Sequence, residues 1–419
     1  DQSGAGTLTV AGERDAWQGM VLASYRLGHE TATHGSDASQ NILRTQANPA
    51  DYRNRYLLGK TVYSVSASQQ LMLTLESQNR TQATEVFSAR GLQPSSPRAT
   101  LDFDTRDQIL RDRISLEHRF NDVNARWIQS AETRVYWQDG RVNQFTEESR
   151  VRAPLRTRDN DYRTRLIGLA TQFETNLSGL INQKLTYGFD WSQAKVTGVR
   201  DGISPPFGEV FPVKPFPDSR YDLSGIFAQS EMELGTLSVI PGLRFDRYRI
   251  SPSSHAYAGA APQSSQGQAI TPRLGAVWRL ASGFSPYGQL ARGFRAPSPE
   301  QVNNGFSNIA AGYTSIGNAE LKPEYADSLE IGVRGTYKSF RYSLAGFDNR
   351  YKNFISQERV GGAGRPADPA IYQYVNLNSA RIRGVVLSTE TVIDSKWNLQ
   401  VGFAYLRGIS DVNGQAQPL

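Results

Sequence analysis

The sequence predicts an all-β protein, a transmembrane antiparallel up-and-down β-barrel. Apolar residues recur with period two in many segments, and tight turns alternate with long polar connections. No stretch approaches about 18 consecutive apolar residues, which rules out a spanning helix but not spanning strands, whose hydropathy signal is weak. Hydrophobic residues make up 38% of the 419, beside 37 glycines and 19 tyrosines, a composition that suits strands apolar on one face only.

Each observation can be followed along the chain. In 397–405, Trp397, Leu399, Val401, Phe403 and Tyr405 alternate with Asn398, Gln400, Gly402 and Ala404. Leu185, Tyr187, Phe189 and Trp191 alternate likewise, as do Leu329, Ile331, Val333 and Tyr337. Short turn signals fall near 13–15, 66–68, 121–124, 175–179, 235–236, 282–283, 339–340 and 393–395. Longer Gly/Pro-rich or polar connections lie between them, at roughly 30–53, 81–105, 140–158, 196–218, 252–268, 294–325 and 355–371. The rhythm implies about 16 strands joined as neighbouring hairpins. Closure pairs every backbone group, which is what lets a barrel face lipid. Trp127, Trp137, Phe245, Tyr248, Tyr287, Phe294 and Tyr342 sit near expected strand ends, where an interfacial aromatic girdle would place them. A soluble sandwich or propeller is the competing architecture, but no blade repeat recurs along the chain.

Charge and motifs narrow the function. The net charge of +6 comes from 38 Arg and 8 Lys against 40 acidic residues, scattered without a dense basic run. That argues against nucleic acid and for solvated faces, a pore lining and contact with acidic lipid or lipopolysaccharide. Without cysteine there can be no disulfide, zinc-thiolate or iron–sulfur site. His29 and His34 flank an HExxH-like stretch but stand five apart, not the four that one helical face needs. The glycines at 362 and 364 imitate a dinucleotide fingerprint, yet Pro366 and Pro369 forbid the helix. No nucleophile elbow or phosphate loop is present, so no enzyme is expected. His118 belongs near a turn and reads as structural; His29, His34 and His255 lie in or beside long loops, where His29 and His34 are the weaker metal-ligand candidates. The chain starts at Asp1 without a signal peptide and stops soon after a strand, so 1–419 is read as part of a longer polypeptide.

The segment 291–324 carries the most specific signal. Phe294-Arg295-Ala296-Pro297 is followed by Asn318-Ala319-Glu320-Leu321-Lys322-Pro323-Glu324, by Ser328 to Gly332, and then by Asn376-Leu377-Asn378-Ser379-Ala380-Arg381-Ile382-Arg383-Gly384. This set resembles the barrel of TonB-dependent outer-membrane receptors. The resemblance implies a barrel of about 22 strands around a plug, with the plug and the C-terminal strands outside this chain, in a Gram-negative outer membrane. TonB would engage the missing N-terminal region. The paired boxes resemble the haem and haemoglobin receptor branch, although Asn318 to Leu321 has lost the proline of the usual second box. Haem or a haem-carrying protein is then the expected partner, and haem the transported ligand. No histidine lies between the boxes; Tyr313 does, and a phenolate can hold ferric haem iron. Phe306, Ile309, Ala310, Ala311 and Ile316 would contact the porphyrin. Arg295 or Lys322 would meet its propionates, unless Arg295 instead locks the motif to the barrel wall. A ferric-siderophore receptor and a passive porin are the alternatives.

Overall fold

The computed structural model describes residues 2–91, 99–205, 209–281, 283–309, 312–412 and 415–418. The strands are β1 (Ser3–Arg14), β2 (Trp17–His29), β3 (Ala50–Ser66), β4 (Gln69–Glu85), β5 (Thr100–Asn121), β6 (Ser130–Arg150), β7 (Ala153–Leu177), β8 (Asn182–Asp201), β9 (Ser219–Leu234) and β10 (Leu237–Pro252). They continue as β11 (Ser265–Trp278), β12 (Ser285–Arg295), two short loop strands β13 (Ser307–Asn308) and β14 (Tyr313–Ile316), then β15 (Glu324–Tyr337), β16 (Phe340–Gly361), β17 (Ala370–Val392), β18 (Asn398–Val412) and β19 (Gln415–Pro418). Each long strand pairs antiparallel with its predecessor, and β12 pairs with β15 across the segment between them. Among the described residues β1 pairs only with β2, and β19 only with β18, so the sheet has two edges.

Directly paired residues share a face, so each register row can be followed around the sheet. One row runs Val10, Val21, Gly59, Leu75, Ile114, Trp137, Ile167 and then Gln193, Asp222 and Arg249. It leaves the apolar band as it advances because tilted strands carry a row upward along the barrel axis. This apolar face is the outer one. The opposite face is polar: Arg244 donates to Asp190 at 2.6 and 2.9 Å, and Glu117 accepts from Arg134 at 2.7 Å.

Lengths also fit a barrel that projects beyond its membrane. β7 has 25 residues, about 80 Å at ~3.3 Å each, against an apolar band of about 25 Å. This corrects the expectation of a long connection at 140–158, because β6 and β7 continue to a turn at Val151-Arg152. The last strand residues there face water on both sides, so the apolar alternation fades without the backbone leaving the sheet. The connection expected at 355–371 likewise contracts to 362–369. Two girdle assignments also change. Tyr248 pairs with Gly267 and Tyr287 with Gly332, on the inner rows, and Tyr248 is buried. Trp137 and Tyr342 do lie on outer rows, and the Trp17 and Tyr63 rings meet tilted near the short-turn end, with centroids 4.5 Å apart.

Candidate functional site

Between β12 and β15 the chain does not spread over the rim; it folds inward. Ala296 and Pro297 are buried, and Pro299 opens a single helical turn, α1 (Pro299–Val302), whose entry is fixed by Ser298 N–H donating to Gln301 Oε1 at 3.0 Å. Val302 and Leu321, from the two ends of the segment, pack with Ile250 and Ile355 in a small buried core, flanked by Tyr221 and Tyr374. Gly317 passes so close to the Val302 carbonyl that a Cβ there would lie 2.5 Å from the oxygen.

The motif residues hold this segment in place. Arg295 Nη1 donates to both Glu324 oxygens at 3.0 Å, and Glu324 also accepts from Ile355 N–H at 2.7 Å. Asn318 Nδ2 donates to the Tyr374 carbonyl at 2.9 Å. Asn376 grips Lys322 twice, accepting from its N–H at 2.8 Å and donating to its carbonyl at 2.9 Å. The two stretches that carried the resemblance therefore meet in space. Of the alternatives for Arg295, the structure shows the lock: its charge is paired with Glu324, while the Lys322 side chain is exposed.

Pinned at both ends, the middle of the segment presents Tyr313. β14 runs parallel to the start of β17, with Tyr313 opposite Ala370. The Tyr313 ring lies 5.7 Å from Phe306 and 6.5 Å edge-on from Tyr372. Its hydroxyl meets Asn308 Nδ2 at 3.5 Å, the long limit of a hydrogen bond. Ile316 ends the same strand and is exposed. Ala310 and Ala311 lie outside the described residues.

Sequence reading missed the cation beside this group. Arg200, near the end of β8, stands with its guanidinium carbon 4.2 Å from the Phe306 ring centroid. Its Nε donates to Asn160 Oδ1 at 3.1 Å, and Glu209 lies 3.6 Å from its Nη2. Burial weakens the hold of Arg200 on its proton, an effect that Glu209 opposes and Arg158 reinforces. Neighbouring connections close around it: Gly305 N–H donates to the Pro215 carbonyl at 2.7 Å, and Asn303 exchanges two hydrogen bonds with the Gln263 backbone. No local motif marks Arg200, because only the register of β8 and the inward loop bring it to Phe306.

The histidines are elsewhere. His29 ends β2 with Nδ1 2.6 Å from Asp51 and lines a cleft of about 870 Å³ with Glu30, Arg44 and Arg106. Hydrogen bonding from the Ala50 N–H holds the Glu30 carboxyl below the usual carboxylate range. His34 is exposed in the following loop, and no metal-holding group of three or more His, Cys, Asp or Glu occurs among the described residues.

This barrel, with its inward loop between paired boxes, defines a receptor-type outer-membrane protein. Residues 24–418 match the family described as "TonB dependent receptor-like, beta-barrel", and the chain belongs to that family. It is 26% identical over 226 residues to the ferrienterobactin receptor of Escherichia coli K12, covering 49% of this chain and 28% of that one. It is 25% identical over 329 residues to the hemin receptor of Yersinia pestis, covering 74% and 44%. The chain thus spans less than half the length of these curated relatives. Its fold is shared with Serratia marcescens hemophore receptor HasR, solved with its hemophore HasA and heme, at a TM-score of 0.71, 15% identity, and 99% and 64% coverage. The Pseudomonas aeruginosa ferric enterobactin receptor PfeA, solved with enterobactin, gives a TM-score of 0.71, 16% identity, and 99% and 64% coverage. Family membership sets aside the passive-porin alternative and places the barrel in the outer membrane.

Proposed function

We propose that this chain is most of the barrel of a receptor that captures haem on its extracellular side for TonB-energised uptake. The plug and the remaining strands lie outside residues 1–419, and the plug side engages TonB. The observation that carries the haem reading is Tyr313, an anionic-oxygen donor set between two aromatic rings on a loop clamped at both ends. Phe306, Ile309 and Ile316 supply apolar contact for a porphyrin face. Arg200, beside the Phe306 ring and facing Glu209, adds a second cation to Arg295, which is paired with Glu324 and half exposed, as a partner suited to a propionate. The receptor binds and moves its ligand without transforming it, so no catalytic residue is assigned.

A second reading rests on a specific feature. Arg200 over Phe306, with Arg158 close by, is also a basic-aromatic surface suited to an anionic ferric catecholate. Competition separates the two. Full-length receptor in detergent is titrated with haemin, followed by tryptophan quenching, in the presence and absence of a ferric tris-catecholate. Haemin saturation that the catecholate does not displace is expected; saturation by the catecholate alone would replace haem with a siderophore.

A further inference from the structure

Near the far ends of β6 to β8, the inner wall holds charges that attract one another without bonding. Arg156, Arg158 and Asn160 alternate on the inner face of β7, and Asn160 stands opposite Arg200 of β8. Glu148 of β6 lies opposite Arg156, 3.3 Å from its Nη1. Beyond β8 the chain returns along the same edge. Arg200 and Val213 exchange backbone hydrogen bonds at 2.8 Å, and Phe216 packs with Ala194 and Val196. This returning arm brings Glu209 to Arg200, with the glutamate side chain only 5% exposed.

Donors and acceptors in the cluster are mismatched. Both carboxylate oxygens of Glu209 are buried, and neither accepts a hydrogen bond among the described residues. Its 3.6 Å approach to Arg200 Nη2 is an ion pair too long to be a hydrogen bond. The Nε atoms of Arg156 and Arg158 are likewise buried without an acceptor among the described residues. A carboxylate placed this way has lost its water and gained charge attraction alone in return. Burial weakens the hold of Arg156 on its proton, Arg150 and Arg158 reinforce this, and Glu148 and Glu209 oppose it. Glu209 thus neutralises arginines that it does not bond. A fixed counter-ion looks different: Asp190, on the same wall, takes Arg244 with both oxygens at 2.6 and 2.9 Å.

We propose that Glu209 is a built-in competitor of the transported ligand, its carboxylate loosely holding the place among Arg156, Arg158 and Arg200 that an anionic oxygen group of the ligand takes. A ligand anion is free to adjust its position and can make the charge-assisted hydrogen bonds that Glu209 does not reach. The competitor also confers selectivity, because every anion must displace it. A small inorganic anion has only its charge to do so. A ligand that also lies against Phe306, whose ring centroid is 4.2 Å from the Arg200 guanidinium carbon, and against Tyr313 has further contacts to offset the displacement. The inference rests on the capture of an anionic ligand beside Tyr313, but not on whether that anion is a haem propionate or a catecholate.

Titration of the full-length receptor in detergent, wild type beside Glu209→Gln, tests the competitor. The probes are haemin, haemin dimethyl ester and a ferric tris-catecholate, each followed by tryptophan quenching. Glu209→Gln preserves side-chain size and is expected to bind haemin about tenfold more tightly, because the competing charge is gone. The dimethyl ester, which has no propionate charge, should bind both proteins alike. Adding Arg158→Gln and Arg200→Gln should abolish the gain, with heat-modifiable mobility confirming that each variant is folded. Equal or weaker haemin binding by Glu209→Gln overturns the competitor and leaves the haem reading standing. An equal gain for the ester overturns it too, since the effect would not lie on the anion. If haemin binds neither protein while Glu209→Gln takes the catecholate about tenfold more tightly, the haem reading falls and the competitor stands. Failure of both anions to bind either protein overturns both.

Discussion

Tyr313→Phe is expected to weaken haemin binding to the full-length receptor roughly 100-fold, because the proposed haem reading makes its phenolate the iron ligand, and even partners one shell out typically contribute 10–100-fold. The substitution is close to isosteric. The ring contacts with Phe306 and Tyr372 remain, and among the described residues the hydroxyl contact deleted is the long one to Asn308. The clamps on the segment, Arg295 with Glu324 and Asn376 with Lys322, do not involve Tyr313. A loss of affinity therefore reports on the iron and not on unfolding of the loop. Tyr372→Phe is the matched control and is expected to bind as wild type. A loss in Tyr372→Phe with retention in Tyr313→Phe would move the ligand to β17.

Leu387→Arg is expected to destabilise the folded barrel by about 2–4 kcal/mol, whereas Ser388→Arg one residue later should change it by no more than about 0.5 kcal/mol. Leu387 lies in an outer apolar row with Leu344 and Phe403, so an arginine there enters hydrocarbon. Ser388 faces inward and is exposed, opposite Gly402, beside which there is open space. Guanidinium unfolding of the full-length receptor from bilayers measures both. Equal effects would show that the face assignment is wrong, and with it the lipid-facing rows.

Much of the architecture was legible because it is local. Alternation such as Trp397 to Tyr405 and turns such as 235–236 are written in adjacent residues, and the barrel follows from their order. Register parity is less legible. A turn one residue longer or shorter exchanges the faces, which is why Tyr248 and Tyr287 read as girdle residues and stand on the inner wall. The site was half visible. The motif pointed to 291–324 and to Tyr313, but the function of Asn318, Asn376 and Glu324 as clamps depends on partners 29 to 56 residues away. Arg200 could not be found at all, since nothing near Val199 or Asp201 distinguishes it from the other 37 arginines.

The most direct test of the haem account is resonance Raman spectroscopy of haemin-loaded full-length receptor at neutral pH. The account predicts iron–phenolate vibrations of a tyrosinate-ligated ferric haem, abolished in Tyr313→Phe. A histidine-ligated spectrum in wild type, or phenolate vibrations that persist in the variant, would contradict it.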